Sequence, residues 1–259
     1  MSIDVTLSLI KELRDTTGIS VMQCKNALEE AEGDMEKALA ILKKTSSDIA
    51  LKKAGRDAKD GRVYIKSENK KSILIALHCE TDFVSKNEDF INLLSNLANK
   101  VSNEGIEKTK EEATEMINPV IQKTGEKIEL GDIYEIKGEI LGNYVHNHKV
   151  AVVVSLENGN EELARDIAMH ITAMKPEYIS KDEITEDVKK TITEIFEKEV
   201  SEINKPEDIK KKMLEGKINT YFKEKTLLSQ TFIKNGDETI EQLLDKNKAK
   251  IIEVKRYSI

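Results

Sequence analysis

The sequence predicts an α+β chain built from small units. Three observations carry that reading. Apolar residues recur at helical spacing in the first fifty residues and again between Ser180 and Thr226. Two strand-length apolar runs follow each other around Gly61 and Ser72, and a third lies at Val150. Of 259 residues, 34% are charged, 39% hydrophobic and 4% aromatic, with no Trp, which fits solvated surfaces over thin, helix-rich cores. At roughly 100–200 residues per domain, one to three small domains are expected.

The composition also excludes functions. Lys and Arg total 41 against 48 Asp and Glu, a net charge of −7. Net charge therefore gives no reason to expect nucleic-acid binding, although Lys210-Lys211-Lys212 forms a local basic run. The longest apolar run is about one strand long, so no membrane span is expected. The opening MSIDVTLSLIKELRD carries acids among its apolar residues, unlike a signal peptide. Cys24 and Cys79 lie too far apart to suggest a disulfide framework or a zinc site, and a reducing cytoplasm is the expected home.

Val5, Leu9 and Leu13 share a helical face that Thr16-Thr17-Gly18 brings to an end. Ser20 stands three residues before Gln23, a capping-box spacing: the hydroxyl takes the Gln23 amide and the Gln23 side chain reaches back. Cys24, Ala27, Leu28 and Ala31 form the next apolar face and Gly33 ends it. Asp34 can cap a third helix with Met35, Ala38, Leu39 and Leu42 inside. Such a bundle is either a packing module or a docking module. Ile49 to Gly61, rich in Lys, Ala, Gly and Asp, reads as a linker with helical leanings.

Gly61 to Ile65 and Ser72 to Leu77 read as two strands with a polar turn around Glu68–Lys71. A helix follows with Phe90, Leu94, Leu97 and Val101 on one face. Its start has two solutions. Thr81 or Asp82 caps a helix that includes Phe83, which then shares a face with Phe90 and enters the core. Alternatively Ser85 and Glu88 form a capping box and leave Phe83 at a strand-to-helix corner, where an exposed aromatic ring serves as a partner anchor.

Tyr134 to Leu156 alternates and then runs Val150 to Val154 as a buried strand, and Asn158-Gly159 supplies a turn. Leu163, Ile167, His170 and Met174 share the next helical seam, so spacing alone makes His170 a core or boundary residue. His146 and His148 lie two apart near a strand end. With His78 they have no Asp, Glu or Cys at ligand spacing, so no metal site is expected. There is no Gly-rich phosphate loop, no G-x-S-x-G and no paired acid on a plausible cleft wall, so neither a cofactor nor chemical catalysis is expected. Ile184, Val188, Ile192, Ile195 and Val200 mark one amphipathic helix. Asn204-Lys205-Pro206 breaks it, and Ile209, Met213, Ile218 and Phe222 mark its antiparallel partner.

Thr81-Asp82-Phe83-Val84, followed by a basic-polar pair and a helix, resembles the signature of the elongation factor Ts family, the guanine-nucleotide exchange factors of elongation factor Tu. Leu13 to Gly18, Met22 to Leu28 and Gly33-Asp34 are similar to the family's first domain. Gly125-Glu126-Lys127-Ile128, Tyr144-Val145-His146, Asp166 to Ile171, Lys175 to Tyr178 and Leu228 to Phe232 recur in the family's order. Each tetrapeptide is weakly specific, and the ordered set is strongly so.

The resemblance implies a UBA-like three-helix domain at 1–54 and a core N-subdomain at 55–140. It further implies a core C-subdomain at 141–179 and 226–259, with antiparallel sheets in both core subdomains. A coiled-coil hairpin is inserted at 180–225, and in some members it serves self-association. The implied function is translation elongation: binding of Tu·GDP, disturbance of its magnesium and phosphate site, and release of GDP. Thr81, Asp82, Phe83 and Val84 would dislodge the partner's magnesium. Met22, Lys25, Thr124, Gly125 and His170 would make further contacts with Tu. The family usually has an aliphatic residue where Thr124 stands, and an arginine pair where this chain has Gly131-Asp132. Many members continue past the last strand, here Val254 to Ile259, and no second contact surface is assigned. The rival readings are a UBA-like docking or scaffold module and a ribosome-associated RNA-binding factor. Only the last should lose affinity steeply with salt.

Overall fold

The computed structural model describes residues 5–259, so residues 1–4 of the expected 1–54 unit lie outside the described residues. Among the described residues, ten α-helices accompany two three-stranded antiparallel sheets, an α+β fold. Backbone packing divides the chain into two units. The first runs to Glu135 and includes Val145–Ala151 and Tyr257–Ile259; the second holds Ile136–Tyr144 and Val152–Arg256.

In the first unit, α1 (Leu7–Thr17) stops where Gly18 turns left-handed at φ 66°, its N–H donating to the Arg14 carbonyl at 2.7 Å. α2 (Val21–Glu30) begins at Ser20, whose hydroxyl oxygen accepts the Gln23 N–H. The Gln23 side chain meets the Ser20 hydroxyl at 3.0 Å instead of its backbone amide, so the expected box is half formed. Asp34 caps α3 (Met35–Lys53) by accepting the Lys37 N–H at 3.1 Å. Leu13, Cys24, Leu28, Ala38 and Leu42 are buried between the three helices. Leu39, expected inside, faces outward, because it lies about 100° round the helix from Ala38, past the edge of the apolar stripe. α3 also outlasts the helix expected there. Ile49 and Ala50 pack against the neighbouring core, so the expected linker is helical to Lys53.

β1 (Asp60–Glu68) pairs antiparallel with β2 (Lys71–Cys79), with Asp60 opposite Cys79. Asn69 and Lys70 connect them at φ 48° and 60°, as a type I′ hairpin turn requires. A one-turn helix, α4 (Asp82–Ser85), leads to α5 (Glu88–Glu104). Ile73, Ile75, Leu77 and Cys79 share a core with Phe90, Leu94, Leu97 and Val101. α6 (Ile106–Thr124), an element not expected from the sequence, adds Ala113, Ile117, Val120 and Ile121 and packs on both α3 and α5. Gly125 ends α6 in the left-handed region, and β3 (Ile128–Lys137) completes the sheet in the order β1-β2-β3.

The other sheet has the order β4-β5-β6, from β4 (Ile140–His146), β5 (Val150–Glu157) and β6 (Lys250–Ser258). α7 (Glu161–Met174) starts at Asn160, just after the Asn158-Gly159 turn. α8 (Glu186–Ser201) and α9 (Glu207–Lys225) form the hairpin, with Thr185 and Pro206 at their N-cap positions. Ile195, expected on the inner stripe, is exposed. Phe196 takes its place, edge-on to Tyr221 at 5.8 Å, because Val188, Ile192, Phe196 and Val200 keep a constant one-turn step. Val152, Val154 and Leu156 share a core with Leu163, Ile167 and Ile171 of α7, with Phe232, and with Ile240 and Leu244 of α10 (Ile240–Lys246). No helix among the described residues is long and apolar enough to cross a membrane.

Candidate functional site

The chain leaves the first sheet at Cys79, which is buried, and turns through Glu80 and Thr81 into α4. Neither capping solution holds entirely. Thr81 is the N-cap residue of α4 but makes no side-chain cap bond. α5 is capped by Asn87, whose Oδ1 accepts the Asp89 N–H at 2.8 Å, while Ser85 is buried and donates its hydroxyl to the Asp82 carbonyl at 3.1 Å. Asn favours such caps because its short side chain competes well for free backbone amides. The interruption at Lys86-Asn87 resets the helical phase, so Phe83 does not share the face of Phe90. Phe83 is 82% exposed, whereas Phe90 is fully buried. Val84 is buried beneath the turn, and the exposed Asp82 pairs with Lys86 at 2.6 Å.

The corner is tied to the end of α6. Thr81 donates twice to Glu126, from its N–H to Oε2 at 2.9 Å and from its hydroxyl to Oε1 at 2.6 Å. The Lys127 N–H donates to Glu80 Oε1 at 2.6 Å, and Arg56 reaches the same oxygen at 3.2 Å. The Lys127 amide above all, with Arg56, holds the Glu80 carboxyl below its ordinary range against the opposing effect of partial burial. The Cys79 thiol donates to the Thr81 carbonyl at 3.2 Å. Burial first, then the charges of Asp60 and Glu126, pushes that thiol up to about 12. In the sequence Glu126 stands out only as part of the tetrapeptide Gly125-Glu126-Lys127-Ile128. No local pattern links it to a threonine 45 residues away.

The Thr124 hydroxyl is used internally, donating to the Val120 carbonyl at 2.8 Å and accepting the Glu126 N–H at 3.4 Å. Gly125 is exposed, and its carbonyl accepts from the Lys53 ammonium. Through Glu126 the structure therefore brings Thr124 and Gly125 together with Thr81 to Val84. Lys123, one residue earlier, pairs with Asp89 at 3.0 Å and lies where a Cβ on Gly18 would stand, which seats the α1–α2 turn against the end of α6. On α2, Met22 is 65% exposed and Lys25 pairs with Glu29 at 3.5 Å.

His170 lies in the second unit and is fully buried. Its Nδ1 accepts the Ile233 N–H at 3.3 Å, which makes Nε2 the donor to Gln230 Oε1 at 2.9 Å. Both nitrogens are satisfied internally, so His170 is the core histidine of the spacing argument and offers no atom to a partner as seated. His78 bonds the Tyr257 hydroxyl at 2.7 Å, and His148 belongs to the turn after β4. No group of three His, Cys, Asp or Glu side chains among the described residues could hold a metal ion. The corner thus holds an exposed aromatic ring and an ion-paired carboxylate on a turn tied to the end of α6.

Comparison with known proteins matches the family model "Elongation factor TS" to residues 80–259, which include this corner. The chain is 37% identical to elongation factor Ts of Hahella chejuensis, over 98% of this chain and 92% of that protein. It is 36% identical to elongation factor Ts of Photorhabdus laumondii, over 98% and 92%. It is 34% identical to elongation factor Ts of Pseudomonas aeruginosa strain PAO1, over 99% and 91%.

Proposed function

The chain belongs to the elongation factor Ts family of translation elongation factors, and from that premise we propose that it is the guanine-nucleotide exchange factor of elongation factor Tu in the cytoplasm. It binds Tu·GDP and promotes release of GDP without chemical catalysis. The observation that carries this reading is Phe83, a large apolar ring left in solvent on a turn whose backbone is tied from both sides.

An exchange factor needs only to bind the nucleotide-free state of its partner more tightly than the nucleotide-bound state. Reciprocity then weakens the nucleotide by the same free energy. Accelerating release a thousandfold requires lowering a barrier by about 4 kcal/mol. One inserted aromatic ring with a few polar contacts is of that size. The partner's magnesium is a sensitive target, because it holds near-octahedral geometry and short bonds. In this reading Phe83 enters an apolar pocket of the Tu nucleotide-binding domain and Asp82 engages a polar group beside it. Thr81 and Val84 fix the corner. Met22, Lys25 and Gly125 add contacts, while Thr124 and His170 act from inside, by holding the backbone behind the surface.

Stopped-flow release of labelled GDP from Tu tests the proposal. Phe83→Ala and Asp82→Ala should both slow release at a given concentration of the factor. Parental rates in both variants would remove Phe83 and Asp82 from the mechanism.

A further inference from the structure

We propose that Glu126 is a positioning residue for Phe83: by gripping the N–H and hydroxyl of Thr81 it sets the direction in which the ring is presented. The inference rests on the exchange-factor reading and adds to it a residue outside the protruding turn.

α4 has four residues, and one isolated helical turn does not hold itself together. Phe83 is too exposed for its own packing to fix it, so the ring goes where the turn's backbone sends it. That backbone has few anchors. Val84 and Ser85 are buried below, and the Asn87 N–H closes the end on the Val84 carbonyl at 3.0 Å. At the beginning the anchor is Thr81, two residues before the ring: its carbonyl accepts the Ser85 N–H and the Cys79 thiol, both at 3.2 Å, and its two donors are left to fix its orientation. Its side chain, free to cap α4, turns away to Glu126, and its amide does the same. Two donors on one carboxylate fix rotation as well as position, and hydrogen bonds to a charged acceptor are the stronger kind.

The base of the grip is itself anchored. Glu126 follows the left-handed cap that closes the 19-residue α6, and the adjacent Lys127 N–H returns a bond to Glu80. Two successive residues beyond β2 are thereby laced to two successive residues beyond α6. A ring ordered before encounter loses less freedom on insertion.

The test uses the full-length protein. With no Trp in the chain, Phe83→Trp supplies a single tryptophan at the ring position, excited selectively on the long-wavelength side of the tyrosine band. In that background Glu126→Ala should lower the residual anisotropy of the free protein, and Glu126→Gln should restore it. The amide oxygen can still accept the Thr81 N–H, and the amide NH2 can donate to the hydroxyl. Unchanged anisotropy in Glu126→Ala overturns the proposal without reference to Tu. In GDP release with Phe83 present, Glu126→Ala should be slower by about 5- to 10-fold, with Glu126→Gln within about threefold of parent. Added to Phe83→Ala, Glu126→Ala should cost nothing more; a full additional loss overturns the proposal, since Glu126 would then act elsewhere. If Glu126→Ala folds poorly, Thr81→Val removes only the hydroxyl bond and should show the same changes in smaller measure. Slow Phe83→Ala with parental Glu126→Ala defeats this inference alone; parental Phe83→Ala defeats the exchange reading beneath it.

Discussion

Phe83 and Phe90 stand seven residues apart in opposite surroundings, the first ring in solvent and the second sealed in the core between β2, α5 and α6. The end of the one-turn helix and the Asn87 cap lie between them, so one ring carries no packing and the other is part of the core. Their truncations should therefore have opposite profiles. Phe83→Ala should change unfolding free energy by less than about 0.5 kcal/mol, as surface substitutions do. Phe90→Ala should cost about 3–5 kcal/mol. Urea denaturation of the two variants decides it, and a large loss in Phe83→Ala would mean the ring is packed in solution.

Gly18 and Lys123 make a second testable pair. Gly18 holds φ 66°, where a Cβ is strained, and the added Cβ would also displace the Lys123 ammonium that pairs with Asp89. Gly18→Ala should cost about 1–2 kcal/mol, with the left-handed backbone the larger part. In a Lys123→Ala background the steric part disappears and the cost should shrink. A double-mutant cycle by thermal melting measures the difference. Strict additivity would show that Lys123 steps aside freely.

Cys79 is buried and its thiol is pushed up to about 12, so almost no thiolate exists at neutral pH. Cys24 is buried as well. The folded protein should therefore be silent toward a thiol-specific disulfide reagent at pH 7.5, and two equivalents should react in denaturant. Fast reaction of one thiol in the native state would mean that the β2–α4 corner opens readily.

The parts of this fold legible in the sequence are those decided within a few residues. Ser20 and Asp34 start their helices because a hydroxyl or carboxylate finds an amide three positions on, and Gly18 ends one because it alone enters the left-handed region cheaply. The β1–β2 hairpin follows from two apolar runs and a polar turn. Legibility fails where distant segments decide. Whether Phe83 joins the core depends on Asn87 outcompeting Ser85 as a cap, and Ser85 is withdrawn because it is buried under the turn. The grip of Glu126 on Thr81 spans 45 residues and has no periodicity to betray it. α6 carries an apolar stripe at Ala113, Ile117, Val120 and Ile121, but its density of Lys and Glu, with Pro119 inside it, dilutes the helical signal.

His170 gives the last prediction, one of pH. Burial holds its pKa below the ordinary histidine value, and the bond to Gln230 offsets only part of that. The unfolded chain gains this proton near pH 6.5, the folded chain only at lower pH. Between those points the unfolded state binds more protons, so stability rises with pH. The contribution is complete above about pH 6.5 and is lost as pH falls from there toward the folded value. Urea midpoints of the parent should therefore decline from pH 7.5 to pH 5.5. His170→Gln can keep a donor toward Gln230 and should be less stable at pH 7.5 but show a flatter decline. His148, also held low by burial and by Arg62, contributes equally to both proteins and cancels in the comparison. Parallel declines would mean that His170 accepts its proton in place, and that the Gln230–Ile233 cradle opens to receive it.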